Sequence, residues 1–165
     1  MRFTLVDKVL ELDAGRRIVA LKNLSLAEEY LADHFPGFPV MPGVFMLEAC
    51  TQAAAWLVRA SEDFAHSVVV LREARNVKYG NFVEPGNQLM VTAEVIGDAI
   101  NRDDTTVKFK VQGTVGDVQC VSARLVLEKY NLADADASKA VTDEVMRYKM
   151  RELFSLLYRP AVAAT

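Results

Sequence analysis

His34-Phe35-Pro36-Gly37-Phe38-Pro39-Val40-Met41-Pro42-Gly43 runs without a break into Val44 to Ala60, and the fold of the chain is decided there. Three prolines and two glycines within ten positions restrict the backbone of the first half to a rigid turn. The seventeen residues that follow carry only two formal charges, Glu48 and Arg59, so they read as a helix from about Pro42 to Ala60 that is apolar on all sides. A helix of that kind is wrapped by other structure. A lone carboxylate in it is costly to bury unless it is paired or protonated, which marks Glu48 as a residue kept for chemistry.

Outward from this helix, the pattern on both sides is that of strands. Phe3 to Val6 leads to a turn at Asp13-Ala14-Gly15, and Arg17 to Lys22 reads as a second strand. Ser25 to Ala32 is short and helical, with Ser25 as N-cap and Glu28 closing a capping box. After the helix, Ser67 to Leu71 and Val77 to Phe82 read as two strands, followed by a turn at Glu84-Pro85-Gly86-Asn87 and a strand from Gln88 to Ile96. In Thr105 to Val115, Val107, Phe109 and Val111 face one way and Lys108, Lys110 and Gln112 the other. Gly116-Asp117 is a hairpin signal, with Val118 to Lys129 as the partner strand. The sum is an α+β domain, an antiparallel sheet curled around one long apolar helix, over residues 1–130. Residues 131–165 read as a linker, Ala133 to Ser138, and a helical extension from Thr142 to Leu157. Thr142 is expected to cap that helix, and Val141, Val145, Tyr148, Phe154 and Leu157 to form its apolar stripe.

Composition narrows the function. The 165 residues are 52% hydrophobic and carry a net charge of −3, which argues against a nucleic-acid surface. Cys50 and Cys120 lie far apart without metal-ligand neighbours and read as free thiols. No signal peptide and no membrane span is visible, so a soluble cytoplasmic protein is expected. There is no Gly-x-Ser-x-Gly elbow, no phosphate-binding loop, no dinucleotide fingerprint and no metal cluster, so nucleotide and metal chemistry have little support.

Two histidines remain. His66 reads as a surface or turn residue without a partner. His34 precedes the rigid turn, and Gly43 opens the helix whose exposed N–H groups can polarise a carbonyl oxygen. Imidazole moves protons near neutral pH, and a carboxyl group in an oily setting serves as an acid. These are the parts that β-elimination of water from a 3-hydroxyacyl thioester requires. On the residues alone a second reading stands beside it, with His34 a turn residue and Glu48 bonded to a core donor.

The motif His34-Phe35-Pro36-Gly37, Pro39-Val40-Met41-Pro42-Gly43, Glu48-Ala49 and Gln52 resembles the signature of the 3-hydroxyacyl-(acyl carrier protein) dehydratases of type II fatty acid synthesis. The resemblance extends through Leu5 to Val9, Lys22-Asn23, Asn76 to Tyr79 and Glu84 to Leu89, covering roughly Arg2 to Lys129. It implies the hot-dog fold and dehydration to trans-2-enoyl thioesters on acyl carrier protein. It implies His34 as the base for the α-proton, Glu48 as the acid for the departing hydroxyl, and the Gly43 N–H as holder of the thioester oxygen. The Val40 carbonyl would orient His34, Gln52 would bond near Glu48, and Phe38, Met41 and Tyr79 would line the tunnel or its mouth. It further implies a homodimer, alone or as a trimer of dimers, whose sites draw histidine and carboxylate from different protomers. Arg72, Arg75 and Lys78 are candidates for docking the acidic carrier. Glu48 in place of aspartate favours the plain dehydratase. The alternatives are a dehydratase–isomerase, thioester hydrolysis, and a non-catalytic module that binds acyl chains or partner proteins. Phe38, Asp33, a short N-terminal segment and the extension beyond Tyr130 depart from the family pattern.

Overall fold

A computed structural model describes residues 3–159. Six strands form one antiparallel sheet: β1 (Lys8–Asp13), β2 (Arg17–Asn23), β3 (Val68–Tyr79), β4 (Gln88–Val95), β5 (Thr106–Val115) and β6 (Val118–Tyr130), in the order β1-β2-β4-β5-β6-β3. The long helix α1 (Gly43–Ser61) lies against the sheet, and a second helix, α2 (Ala140–Leu157), follows the last strand. No described helix is long and apolar enough to cross a membrane.

Small residues let the sheet close on α1. Ala49, Cys50, Ala53, Ala54 and Leu57 are wholly buried, and Ile18, Leu89, Phe109, Leu125 and Leu127 meet them from the strands. Each such leucine contributes about 2 kcal/mol by burial. In β5 the alternation is as the sequence pattern requires: Val107, Phe109 and Val111 are buried, while Lys108, Lys110 and Gln112 are exposed. Gly116, at φ +56°, takes the left-handed turn between β5 and β6.

Several local expectations are corrected. Phe3 to Val6 is not a strand; the first strand begins at Lys8, and Leu5 and Val6 are buried in an extended lead-in. Ser25 to Ala32 makes only a 3₁₀ turn at Glu29–Leu31, without a capping box, because Glu28 pairs with Lys22 at 2.6 Å. The two strands expected after α1 are one, β3. Its charged middle, Arg72 to Asn76, sits at a sheet edge where both faces tolerate polarity, and two register shifts, at Leu71/Glu73 and Arg75/Lys78, absorb the irregularity.

The extension also differs. Thr142 lies inside α2, whose N-cap is Lys139. Val141, Val145 and Tyr148 face solvent, and the docked face consists of Met150, Leu153, Phe154 and Leu157. Phe154 stacks within 5.6 Å of Trp56 and 5.8 Å of Phe64, which selects that face. The expected linker is a built joint. Buried Asp143 accepts hydrogen bonds from Ser67 Oγ and from the backbone of Leu132 (3.0 Å) and Ala133 (2.9 Å), while Asn131 accepts from Ser67 N and from Arg147. Burial alone would raise the Asp143 carboxyl; the bonds from Ser67, Ala133 and Leu132 and the charge of Arg147 outweigh it and hold the group below the usual aspartate range.

His66 is likewise not a lone surface residue. Its Nδ1 lies 2.9 Å from Glu62 Oε2, and Glu62 pairs with buried Lys129, whose Nζ also donates to Asn101 O at 2.6 Å. Residues 160–165, the last part of the expected extension, and Met1 and Arg2 lie outside the described residues.

Candidate active site

The turn before α1 holds His34 by its backbone. Phe35 takes φ +51°, a strained conformation for a bulky residue, and its carbonyl accepts from Phe38 N at 2.7 Å. Val40 and Met41 are each 1% exposed and anchor the far side of the turn, with Met41 N donating to Val83 O at 2.8 Å. His34 Nδ1 lies 3.1 Å from Val40 O. A carbonyl oxygen only accepts, so Nδ1 carries the proton, and in the neutral ring Nε2 is left with a free lone pair.

His34 lines a cleft of about 300 Å³ together with Val40, Met41, Gly43, Met46, Tyr79 and Phe82. Gly43 is the first residue of α1, and its N-cap, Pro42, offers no side-chain acceptor, so the positive end of the helix dipole is uncapped there. A Cβ on Gly43 would lie 3.1 to 3.3 Å from three atoms of the Tyr79 ring, so glycine lets that ring pack closely on the helix start. Burial raises the Tyr79 phenol, and pushes the neighbouring Cys50 thiol up to about 12, so both stay neutral and neither competes as a base.

Glu48 faces a different cleft, of about 360 Å³, bounded by Thr51, Gln52, Arg59, Val69, Val70 and Leu71 together with residues of α2. It is half-buried rather than sealed in the core. Gln52, one helical turn on, fixes its orientation. Gln52 Oε1 accepts from Leu5 N at 2.8 Å, so the amide nitrogen faces the other way and donates to Glu48 Oε1 at 3.0 Å and to Phe3 O at 3.2 Å. Glu48 Oε1 is thereby engaged as an acceptor.

The chain therefore brings His34, Val40, Met41, Gly43 and Tyr79 together in one cleft and holds Glu48 with Gln52 in another. Phe38 is exposed at the rim, its ring 5.6 Å from that of Phe82. Arg72, Arg75 and Lys78 are exposed along the edge strand β3, and Arg75 pairs with Glu73 at 2.6 Å. The sequence reading passed over Lys110 and Arg124. They are register partners on β5 and β6, Arg124 is in turn the partner of Arg75, and Lys78, Lys110 and Arg124 share one shallow cleft. Like charges directly opposite on neighbouring strands are destabilising, and Glu94, the register partner of Lys110 on β4, offsets them only on one side of the row. The alternation of β5 and β6 was the signal that could have found them.

One helix wrapped by a six-stranded antiparallel sheet, with a histidine turn at the helix start, defines a hot-dog protein. A family model described as the FabA-like domain matches residues 1–124, and the chain belongs to that family. It is 40% identical over 113 residues to the 3-hydroxyacyl-(acyl-carrier-protein) dehydratase FabZ of Ruminiclostridium cellulolyticum, covering 68% of this chain and 80% of that one. It is 34% identical over 124 residues to the protein of the same description from Wolbachia pipientis subsp. Culex pipiens, covering 75% and 84%. Among solved structures it superposes on the dehydratase heterocomplex ApeI:P from Xenorhabdus doucetiae with a TM-score of 0.64 at 17% identity, over 83% of this chain and 90% of that one. The smu.793 protein of Streptococcus mutans, bound to acetyl CoA, gives 0.57 at 17% identity over 78% and 91%. These structural likenesses concern the fold.

Proposed function

We infer that the chain is a hydro-lyase that dehydrates 3-hydroxyacyl thioesters carried on acyl carrier protein to trans-2-enoyl thioesters, in fatty acid or related lipid synthesis. The observation that carries the reading is the fixed tautomer of His34: with Nδ1 donating to Val40 O, Nε2 is poised to accept a proton in a cleft that opens on an uncapped helix N-terminus. Membership of the family and the dehydratase relatives support the same substrate class.

In this reading Nε2 of His34 takes the α-proton while the Gly43 N–H and the dipole of α1 stabilise charge on the thioester oxygen. The electron pair of the broken C–H bond becomes the new double bond, and the bond from Cβ to the hydroxyl oxygen breaks. Glu48 supplies the proton with which that oxygen leaves as water. The enzyme is left with a protonated His34 and an ionised Glu48, and return of the proton through solvent restores both. The reaction uses no cofactor.

The two groups stand in separate clefts of one chain, which supports a homodimer in which Glu48 of one protomer meets His34 of the partner subunit. The open edge of β3, with Val70, Leu71 and Tyr79 exposed, is a surface on which a second copy can add its own strand. For the carrier we propose docking on Arg72, Arg75 and Lys78, with Lys110 and Arg124 completing a basic row that an acidic partner neutralises.

Hydration of crotonyl-acyl carrier protein, followed as loss of enoyl absorbance, tests the reading. Turnover that both His34→Ala and Glu48→Gln reduce by about a hundredfold or more is expected. A folded protein that hydrates no enoyl thioester would overturn it, and migration of the double bond from position two to position three would mark the isomerase instead.

A further inference from the structure

The cleft that Glu48 faces, of about 360 Å³, follows α1 from Glu48 to Arg59. Glu48, Gln52, Ala55 and Arg59 follow one another along a single face of α1 and all line it. At the rise of an α-helix they span about 16 Å. Val69, Val70 and Leu71 of β3 form the side, and Met150 and Leu153 of α2 also line the cleft. Phe154, on the same helix, packs on Trp56, two turns beyond Glu48, so α2 crosses the groove at its distal part. The helix is pinned there at several points: Arg151 donates to Asp63 O at 2.6 Å, its guanidinium lies 5.4 Å from the Phe64 ring, and Asp143 ties the first turn to Ser67. All of α2 lies beyond residue 124, where the match to the family ends.

Arg59 gives the distal part of the groove a second character. Its guanidinium lies 5.5 Å from the centre of the Trp56 ring, and its Nε is buried without a hydrogen-bond partner among the described residues. The polar contact it does make, to Val69 O, is long at 3.5 Å. Arg59 as a whole is only half-buried, so an apolar chain end pushed against it would strip water from a charged group, which is costly. A chain running from Glu48 therefore meets a steric wall from α2 and a polar one from Arg59.

We propose that α2 is the end wall of the acyl groove and that Met150 and Leu153 set the longest acyl chain the enzyme takes. The assignment rests on the dehydratase reading, because it identifies the occupant of the groove as the acyl chain of the substrate. Ala55, Trp56, Val69, Val70, Met150 and Leu153 give the cleft the apolar surface that fits that occupant.

The test is a chain-length series of trans-2-enoyl carrier thioesters, from butenoyl to hexadecenoyl, on the full chain and on Leu153→Ala, Met150→Ala and Leu153→Phe. Removing bulk at either position should raise the ratio of kcat/KM for the long substrates to that for butenoyl by about tenfold, and Leu153→Phe should lower it by a similar factor. Opposite shifts from two substitutions at one position cannot arise from loss of fold. Ratios that stay at the unaltered value in all three variants, with butenoyl still hydrated, would overturn the wall and leave the dehydratase reading standing. If the unaltered chain hydrates nothing, that reading fails, and titration with saturated butyryl to palmitoyl carrier thioesters decides the wall separately. A shift of the tightest-binding length upward in Leu153→Ala upholds it, and an unchanged order of affinities overturns it.

Discussion

Gln52 and Glu48 are locked to each other in one direction only: the amide oxygen of Gln52 is occupied by the Leu5 N–H, so its nitrogen must donate to the Glu48 carboxyl, at 3.0 Å. The same side chain also ties the lead-in segment to α1 through Phe3 O. Replacing Gln52 by leucine frees Glu48 to rotate and should lower kcat for crotonyl hydration by roughly tenfold while leaving KM little changed, since positioning of the acid is lost and binding is not. Steady-state kinetics on carrier-bound substrate check this.

Gly43 is tested by its near neighbour. A methyl group there reaches 3.1 Å from the Tyr79 ring, which must give way by a few tenths of an ångström in the His34 cleft. Gly43→Ala should cost about tenfold in kcat through misplacement of the thioester oxygen at the helix start, with the melting temperature almost unchanged. Adding Tyr79→Ala should recover part of the loss, because the clash partner is gone; a double variant as slow as the product of the two singles would show that the two sites act independently.

Asp143 makes the docking of α2 pH-dependent. Its folded-state carboxyl is held below the usual range, so the stabilisation is complete above the unfolded value of about 3.9 and is lost as pH falls through the folded value. Trp56, the single tryptophan of the chain, stacks on Phe154 of α2 and reports the docking. Its fluorescence should change as the pH is lowered past the aspartate range, and Asp143→Asn should remove that dependence.

The buried pair of Glu62 and Lys129 is expected to be asymmetric in its response. Lys129→Met takes the cation from a buried carboxylate, leaving it the His66 ring, and should lower stability by about 3 kcal/mol, roughly 6 to 12 °C in Tm. The double change Glu62→Gln with Lys129→Met removes the stranded charge and should recover much of the loss, as thermal melts would show.

The parts of the molecule that were legible in its sequence are those whose partners are near or whose pattern is periodic. Val107, Phe109 and Val111 against Lys108 and Lys110 declare the strand and its buried face, and the unbroken run from Val44 to Ala60 declares a wrapped helix. The turn that seats His34 was likewise visible, because proline and glycine restrict the backbone locally. What was hidden depends on distant residues. Lys129 comes to Glu62 from the last strand, Lys22 takes Glu28 away from its expected cap, and Trp56 with Phe64 decides which face of α2 is buried. The continuity of β3 was obscured because an edge strand carries no obligatory alternation. The separation of His34 and Glu48 into two clefts is a property of the folded surface, with no counterpart in their spacing along α1 and its lead-in.

The most direct test of the central claim, that His34 of one chain and Glu48 of another serve a single site, is to mix two inactive variants. His34→Ala and Glu48→Gln proteins, each alone without hydratase activity on crotonyl-acyl carrier protein, are co-expressed in equal amounts or refolded together. Half of the randomly formed dimers are then mixed, and each holds one site with both groups intact, so about a quarter of the unaltered activity should return. A mixture that exchanges subunits and yet stays as inactive as its components would contradict the account.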